Sequence, residues 1–227
     1  MTPDPHHLVL AQLREEIRRL EHRPGRRDGI VACGLAAVDE ILPAGGFPRG
    51  ALSELAGGPA SGKTAVALSL LRHLGPDDLF AWVDGRGELY PPAAAARGVD
   101  LGRLLVVRPP MTASGSPPPG AEAPWRSALW ASEALLASGA FAAVVMDVPL
   151  PLTGALAGAD AVARRLQAAA ERGGAVGLWL ARPHGALRIP AAVRVELSAE
   201  AGRISARRTS GGTAPRARVG GGGGDAA

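Results

Sequence analysis

The segment Gly57-Gly58-Pro59-Ala60-Ser61-Gly62-Lys63-Thr64 restricts what this chain can fold into more than any other stretch of its 227 residues. It is a complete G-x-x-x-x-G-K-T run, preceded by ALSELA (51–56), which reads as a strand, and followed by AVALSLLRHL (65–74), which reads as a helix. Glycines at this spacing let successive backbone N–H groups turn inward, and the following helix adds the positive end of its dipole. The product is a nest for phosphate. In such a nest Lys63 reaches the β and γ phosphates of a nucleotide and the Thr64 hydroxyl meets a magnesium ion. Lys63 is the only lysine in the chain.

A phosphate loop needs a sheet to hang from, and the rest of the sequence supplies one. Short aliphatic runs at 79–83 (LFAWV), 104–107 (LLVV), 142–146 (AAVVM) and 175–180 (AVGLWL) read as strands, with helical stretches at 63–73, 91–97, 124–138 and 158–172 between them. The unbroken apolar runs at 142–146 and 175–180 suit strands covered on both faces, as in the middle of a parallel sheet. Residues 192–197 and 202–207 alternate better and lie a short turn apart, which predicts an antiparallel hairpin at one edge. The expected fold is a three-layer α/β domain with a mostly parallel central sheet and a C-terminal antiparallel hairpin.

With three Phe, four Trp and one Tyr, the core must be built from aliphatic residues and alanine. The formal charge of +4 is concentrated late in the chain. From Gly202 onward Arg203, Arg207, Arg208, Arg216 and Arg218 stand against Asp225 alone, so the preceding body is neutral. Only a basic C-terminal end is expected, able to touch DNA phosphates weakly or simply to stay solvated. Cys33 is the single cysteine, which excludes an intrachain disulfide and a cysteine metal site and makes a reducing cytoplasm the default. Charges interrupt the N-terminus, and no apolar run reaches membrane-spanning length, so a soluble cytoplasmic protein is expected.

Three regions divide the chain. Residues 7–22 place Leu10, Leu13, Ile17 and Leu20 at helical spacing, so residues 1–29 read as an amphipathic helical arm with a charged linker. Residues 30–208 form the core, opening with a turn-rich prelude at 30–50. Residues 209–227 read as a disordered, basic, glycine-rich tail, and 109–120 is too rich in Pro and Gly for a regular element.

Metal binding and hydrolysis each require more than the loop. Asp147, directly after the apolar run 142–146, is the acid expected to complete a magnesium shell with Thr64. A group that orients the attacking water should stand at the end of a neighbouring strand. The strand 79–83 is followed by Asp84-Gly85-Arg86-Gly87-Glu88, and the strand 175–180 by Ala181-Arg182-Pro183-His184.

With these pieces in place the chain resembles the RecA recombinase family. The resemblance lies in Gly34 and the Leu35-x-x-x-Asp39 turn, the G-G-x-P-x-G loop at 45–50, the phosphate loop, and the Asp84-to-Leu89 segment leading into Pro91, and it extends over most of residues 30–208. It implies a RecA-like core that binds ATP and Mg²⁺ through residues 57–64 and Asp147. It also implies an activating glutamate two residues after Asp84 and an Asn-Gln sensor, where this chain has Arg86 and Ala181-Arg182. Glu88 is a displaced substitute for that glutamate. An arginine cannot act as a base, because its pKa exceeds about 12, but it can bind phosphate. Arg86 and Arg182 are therefore expected to hold nucleotide, or else to face solvent or pair with Asp84 or Glu88 in a relic pocket.

The intervals 149–158 and 182–191, where RecA proteins carry DNA-binding loops, are short, so strand exchange by this chain alone is not expected. Among small RecA-like proteins with such losses the chain is similar to the ImuA family, sometimes described as SulA-related. That resemblance implies an accessory role in DNA-damage-induced, mutagenic translesion synthesis. The implied partners are an ImuB-like Y-family polymerase homologue, an error-prone replicative-type DNA polymerase and RecA itself, with the arm at 7–22 as a docking element. An active ATPase working as a recombination mediator, and a structural adaptor with a dead pocket, are the competing expectations.

Overall fold

The computed structural model describes residues 29–109, 123–148, 150, 159–182, 189–200 and 203–209. The chain enters through a prelude in which β1 (Ile30–Val31) pairs antiparallel with β2 (Phe47–Pro48), enclosing a short helix α1 (Ala36–Asp39) and a 3₁₀ turn (Pro43–Gly45). The Leu35-x-x-x-Asp39 turn has a physical basis. One oxygen of Asp39 accepts the N–H of Cys33 at 2.9 Å and the other that of Gly34 at 2.8 Å. Ser69 Oγ then donates to the Cys33 carbonyl at 2.7 Å, which fastens the prelude to the helix after the phosphate loop.

The body alternates as the sequence pattern indicates. In chain order it runs β3 (Ala51–Ala56), α2 (Lys63–Arg72), β4 (Leu79–Asp84), α3 (Pro91–Ala96), β5 (Leu104–Val107), α4 (Pro124–Ala137), β6 (Phe141–Asp147), α5 (Ala159–Gly173), β7 (Val176–Ala181), β8 (Val193–Glu200) and β9 (Arg203–Thr209). The seven strands β3 to β9 make one sheet in the order β5-β4-β6-β7-β3-β8-β9. All neighbours are parallel except β8 and β9, which form the expected antiparallel hairpin at the edge.

Alternation of side chains along the central strands makes two cores. Phe80, Trp82, Val145, Leu178 and Leu180 face α2, meeting Val66, Leu70 and Leu71. Ala81, Val83, Val144, Met146 and Trp179 face the opposite way, meeting Leu136 of α4 and Leu166 of α5. Burial on both sides is why β6 and β7 read as unbroken apolar runs. The edge hairpin is covered on one side only: Val193, Val195 and Leu197 are buried while Glu196 and Ser198 are exposed.

Several boundaries differ from the sequence pattern in one direction. β4 and β6 each continue into their terminal aspartates, Asp84 and Asp147, and β8 and β9 run on to Glu200 and Thr209. Polar residues at strand ends carry no hydrophobic signal, yet their backbones still pair: Asp84 lies opposite Asp147 in the β4–β6 ladder. The expected arm at 7–22, the segment 110–120, most of the intervals 149–158 and 182–191, and the tail from 210 lie outside the described residues. Among the described residues no helix is long and apolar enough to cross a membrane.

Two outcomes test this packing. Leu178 is fully buried at the centre of the sheet, so Leu178→Ala should cost about 2–5 kcal/mol in urea unfolding at unchanged m-value. The Cys33 thiol is pushed up to about 12, first by burial and then by its hydrogen bond with Asp39. The folded state therefore keeps that proton while the unfolded thiol loses it at its ordinary value near 9.0, and stability should fall as pH rises from there toward about 12. A thiol reagent at neutral pH should label Cys33 only on unfolding, and rapid native-state labelling would refute its burial.

Candidate functional site

The phosphate loop leaves the sheet at Ala56 and returns to regular structure at Lys63, and its glycines are required by contact as well as by dihedral angle. A Cβ on Gly57 would lie 2.4 Å from Ser61 Oγ and 2.6 Å from the Leu197 carbonyl. Gly62 has φ +94°, and a Cβ there would come within 2.9 Å of the Ile204 side chain on β9. Ala60 takes φ 54° without being glycine, the kind of local strain that accumulates at binding loops. Gly57 N–H reaches the Ala181 carbonyl at 3.3 Å, tying the loop to the end of β7. α2 opens directly from Gly62 with no side-chain cap, so its positive end has no carboxylate or hydroxyl competing for it.

Lys63 curls over this loop. Its Nζ donates to the carbonyls of Gly57 and Gly58 at 2.6 and 2.7 Å and to Ser61 Oγ at 3.1 Å. Burial lowers its pKa first; Asp147 opposes that shift, while Arg86 and Arg182 add to it. These four charges feel one another because they share one cleft. It has a volume of about 290 Å³ and is lined by Gly58, Pro59, Ala60, Lys63, Thr64, Arg86, Glu88, Asp147, Leu180 and Arg182. Lys63, Arg86, Glu88, Asp147 and Arg182, expected from the sequence to meet nucleotide, metal or water, are therefore in one place.

Their pairing differs from expectation. Arg86 bonds neither Asp84 nor Glu88; its Nε donates to Asp147 Oδ1 at 2.7 Å, and its Nη2 lies 3.4 Å from the Val148 carbonyl. Both partners are largely buried, with side chains 16% and 15% exposed. Burial raises the Asp147 pKa, and the hydrogen bond and charge of Arg86 pull it back without cancelling the effect. A buried pair of this kind does not repay its full desolvation, so it is weak as a source of stability.

Asp84, the other strand-end acid, is a structural residue. Fully buried, it accepts the backbone N–H groups of Glu88 and Leu89 at 3.0 and 3.2 Å and pairs with Arg108 Nε at 2.8 Å. Arg108 also donates to the Leu89 carbonyl at 2.8 Å. Gly85 N–H meanwhile reaches the Asp147 carbonyl at 2.9 Å. The turn 85–89 is thus tied at both ends, which aims Arg86 at Asp147 and sets Glu88 along the cleft wall.

The arrangement bears on magnesium. Thr64 and Asp147 both line the cleft, and one of the two Asp147 oxygens, Oδ1, is held by a guanidinium. In this arrangement Asp147, the one carboxylate expected to share a magnesium ion with Thr64, is ion-paired to Arg86 through Oδ1, and a cation at that oxygen competes with the pair.

A second cleft of about 350 Å³ shares Ala60, Lys63, Thr64 and Glu88 with the first and is walled further by Leu68, Leu89, Tyr90, Ala93 and Arg97. Tyr90 is 67% exposed. Sequence reasoning did not single out Tyr90, Arg97 or Arg108. The signal for Tyr90 was its being the only tyrosine, placed just after the Asp84 turn; Arg108 had none, since it acts across 24 residues.

Comparison with known proteins agrees with this geometry. Residues 13–155 match the family model of the RecA N-terminal domain. The chain is 38% identical over 108 residues to Protein RecA of Salinispora arenicola, covering 45% of this chain and 31% of that protein. It is 36% identical over 94 residues to Protein RecA of Streptococcus mutans (41% and 24%). It is 32% identical over 138 residues to Protein RecA of Staphylococcus epidermidis (60% and 36%). The matched stretch therefore spans between 24% and 36% of these relatives' own length. With its sheet, its phosphate loop and a family match over more than half its residues, this chain belongs to the RecA family.

Proposed function

We propose that this protein is a RecA-like accessory protein that binds ATP and hydrolyses it slowly or not at all. The observation that carries this reading is the position of Arg86 in a cleft otherwise equipped for a triphosphate. The residue that follows Asp84 by two lines the pocket from a turn tied at both ends, and a guanidinium there cannot accept a proton from water. Phosphate binding needs no such group. The inward-facing loop, the uncapped end of α2, Lys63 and Arg182 together provide the donors and charge for it. The base and sugar then lie in the second cleft, where the exposed Tyr90 ring offers a stacking face.

ATP in such a pocket acts as a switch. Lys63 must leave the Gly57 and Gly58 carbonyls to meet phosphate, and Ile204 packs against Gly62. Loop rearrangement is thereby passed to the edge hairpin, a surface available to partners. The similarity to ImuA extends the proposal to mutagenic translesion synthesis, with an ImuB-like Y-family polymerase homologue, an error-prone DNA polymerase and RecA as partners. The competing reading, an ATPase with Glu88 as base, draws on the presence of Glu88 in both clefts beside Lys63 and Thr64.

Two measurements separate these readings. At ATP concentrations about a hundredfold above Kd, linkage adds about 2.7 kcal/mol, which should raise the melting temperature by roughly 5–10 °C; Lys63→Ala should abolish the rise. Phosphate release should stay near background in the unmodified protein and be unchanged by Glu88→Gln. Steady turnover lost in Glu88→Gln would establish the ATPase instead. Tyr90→Ala should weaken ATP binding by about 0.5–1.5 kcal/mol, the worth of one aromatic stack, while leaving affinity for inorganic triphosphate unchanged.

A further inference from the structure

Where a phosphate loop works with a divalent cation, the ion sits between the loop Ser/Thr hydroxyl, the phosphate oxygens and an acid at a neighbouring strand end, and its charge offsets that of the phosphates. Here the acid is Asp147, and Arg86 Nε lies 2.7 Å from its Oδ1. A cation can use that oxygen only by displacing the guanidinium.

The guanidinium is not placed there by chance rotation. Asp84 fixes the turn through the N–H groups of Glu88 and Leu89, Arg108 locks Asp84, and Gly85 N–H joins the turn to the Asp147 carbonyl. The entropy of holding Arg86 over the cleft is thus met by the fold itself. A guanidinium carries five N–H donors in a planar fork. Nε is committed to Asp147 and one Nη2 donor leans toward Val148, which leaves others for an anion. Arg182 lines the same cleft, and both arginines act on the charge of Lys63. Two guanidinium groups carry the formal charge of one divalent cation.

We infer that the pocket takes the triphosphate of a nucleotide without a divalent cation, with Arg86 and Arg182 supplying the positive charge that a metal ion gives elsewhere. This rests on the nucleotide-binding reading above and adds to it a specific chemistry of recognition. Arg86, anchored through Nε, presents its remaining donors to phosphate oxygens; Asp147 serves as the anchor of that arginine and not as a metal ligand.

The test is a titration of the full chain with ATP, followed by calorimetry, in excess magnesium and again in excess EDTA. Affinity in EDTA should stay within about threefold of that in magnesium. Arg86→Gln should weaken binding in EDTA by tenfold or more, roughly the loss of one charge-assisted contact. The same variant frees Asp147, so magnesium should now restore part of the affinity, and adding Asp147→Asn should remove that restoration. Arg86→Lys keeps the charge and controls for folding; it should retain more EDTA binding than Arg86→Gln. A loss of more than about tenfold in EDTA by the unmodified protein overturns the inference while leaving nucleotide binding intact. Failure to bind ATP under both conditions overturns the nucleotide reading and this inference with it.

Discussion

The parallel pairing of four central strands in a common register is the constraint on which everything else rests. Ala56 lies opposite Ala181 across β3 and β7, and Asp84 opposite Asp147 across β4 and β6, so four strand ends reach one rim of the sheet. Parallel strands must be joined by crossovers, and here those crossovers put α2 on one face and α4 and α5 on the other. Ligand sites in open parallel sheets form outside the carboxyl ends of the strands for this reason. Lys63, Arg86, Asp147 and Arg182 are far apart in the chain and meet because each follows or ends one of these strands. A slip of one residue in any pairing would turn its terminal side chain away from the cleft.

This also decides what could be read from the sequence. The strands were legible because burial on both faces forces continuous aliphatic runs such as AAVVM and VGLWL, and the hairpin because burial on one face forces alternation. The phosphate loop was legible because close contacts at Gly57 and Gly62 leave glycine little competition. Pairing among charged groups was not legible. Arg86 had three open alternatives in the sequence, and the structure has it bonded to Asp147, a residue 61 positions away. The role of Asp84 was equally hidden, since an acid at a strand end has the same letters whether it meets a metal, a water or, as here, two backbone N–H groups and Arg108.

The two strand-end acids have different tasks, and the difference follows from their surroundings. Asp84 has a complete set of partners: two N–H donors and a guanidinium satisfy its oxygens, and it sets the turn. Asp147 has one guanidinium and a raised pKa, because burial outweighs what Arg86 returns. A buried carboxylate left so incompletely compensated is costly for folding alone. Such under-compensated charge tends to gather where a site interacts with something outside the protein.

Charge in the cleft is balanced toward the positive. Lys63, Arg86 and Arg182 line it against Asp147 and Glu88, and the lysine's pKa is lowered first by burial and then by its two arginine neighbours, against the pull of Asp147. A pocket that crowds cations together is relieved by an anion, and the crowding grows worse if a divalent cation enters instead. In the proposed reading an arginine at position 86, where the resemblance implies an acid, changes two things at once. It removes the group that would activate water, and it adds charge that holds phosphate. In the proposed reading, loss of hydrolysis and retention of binding follow from the same side chain, and the cleft serves a nucleotide-responsive surface and not a motor.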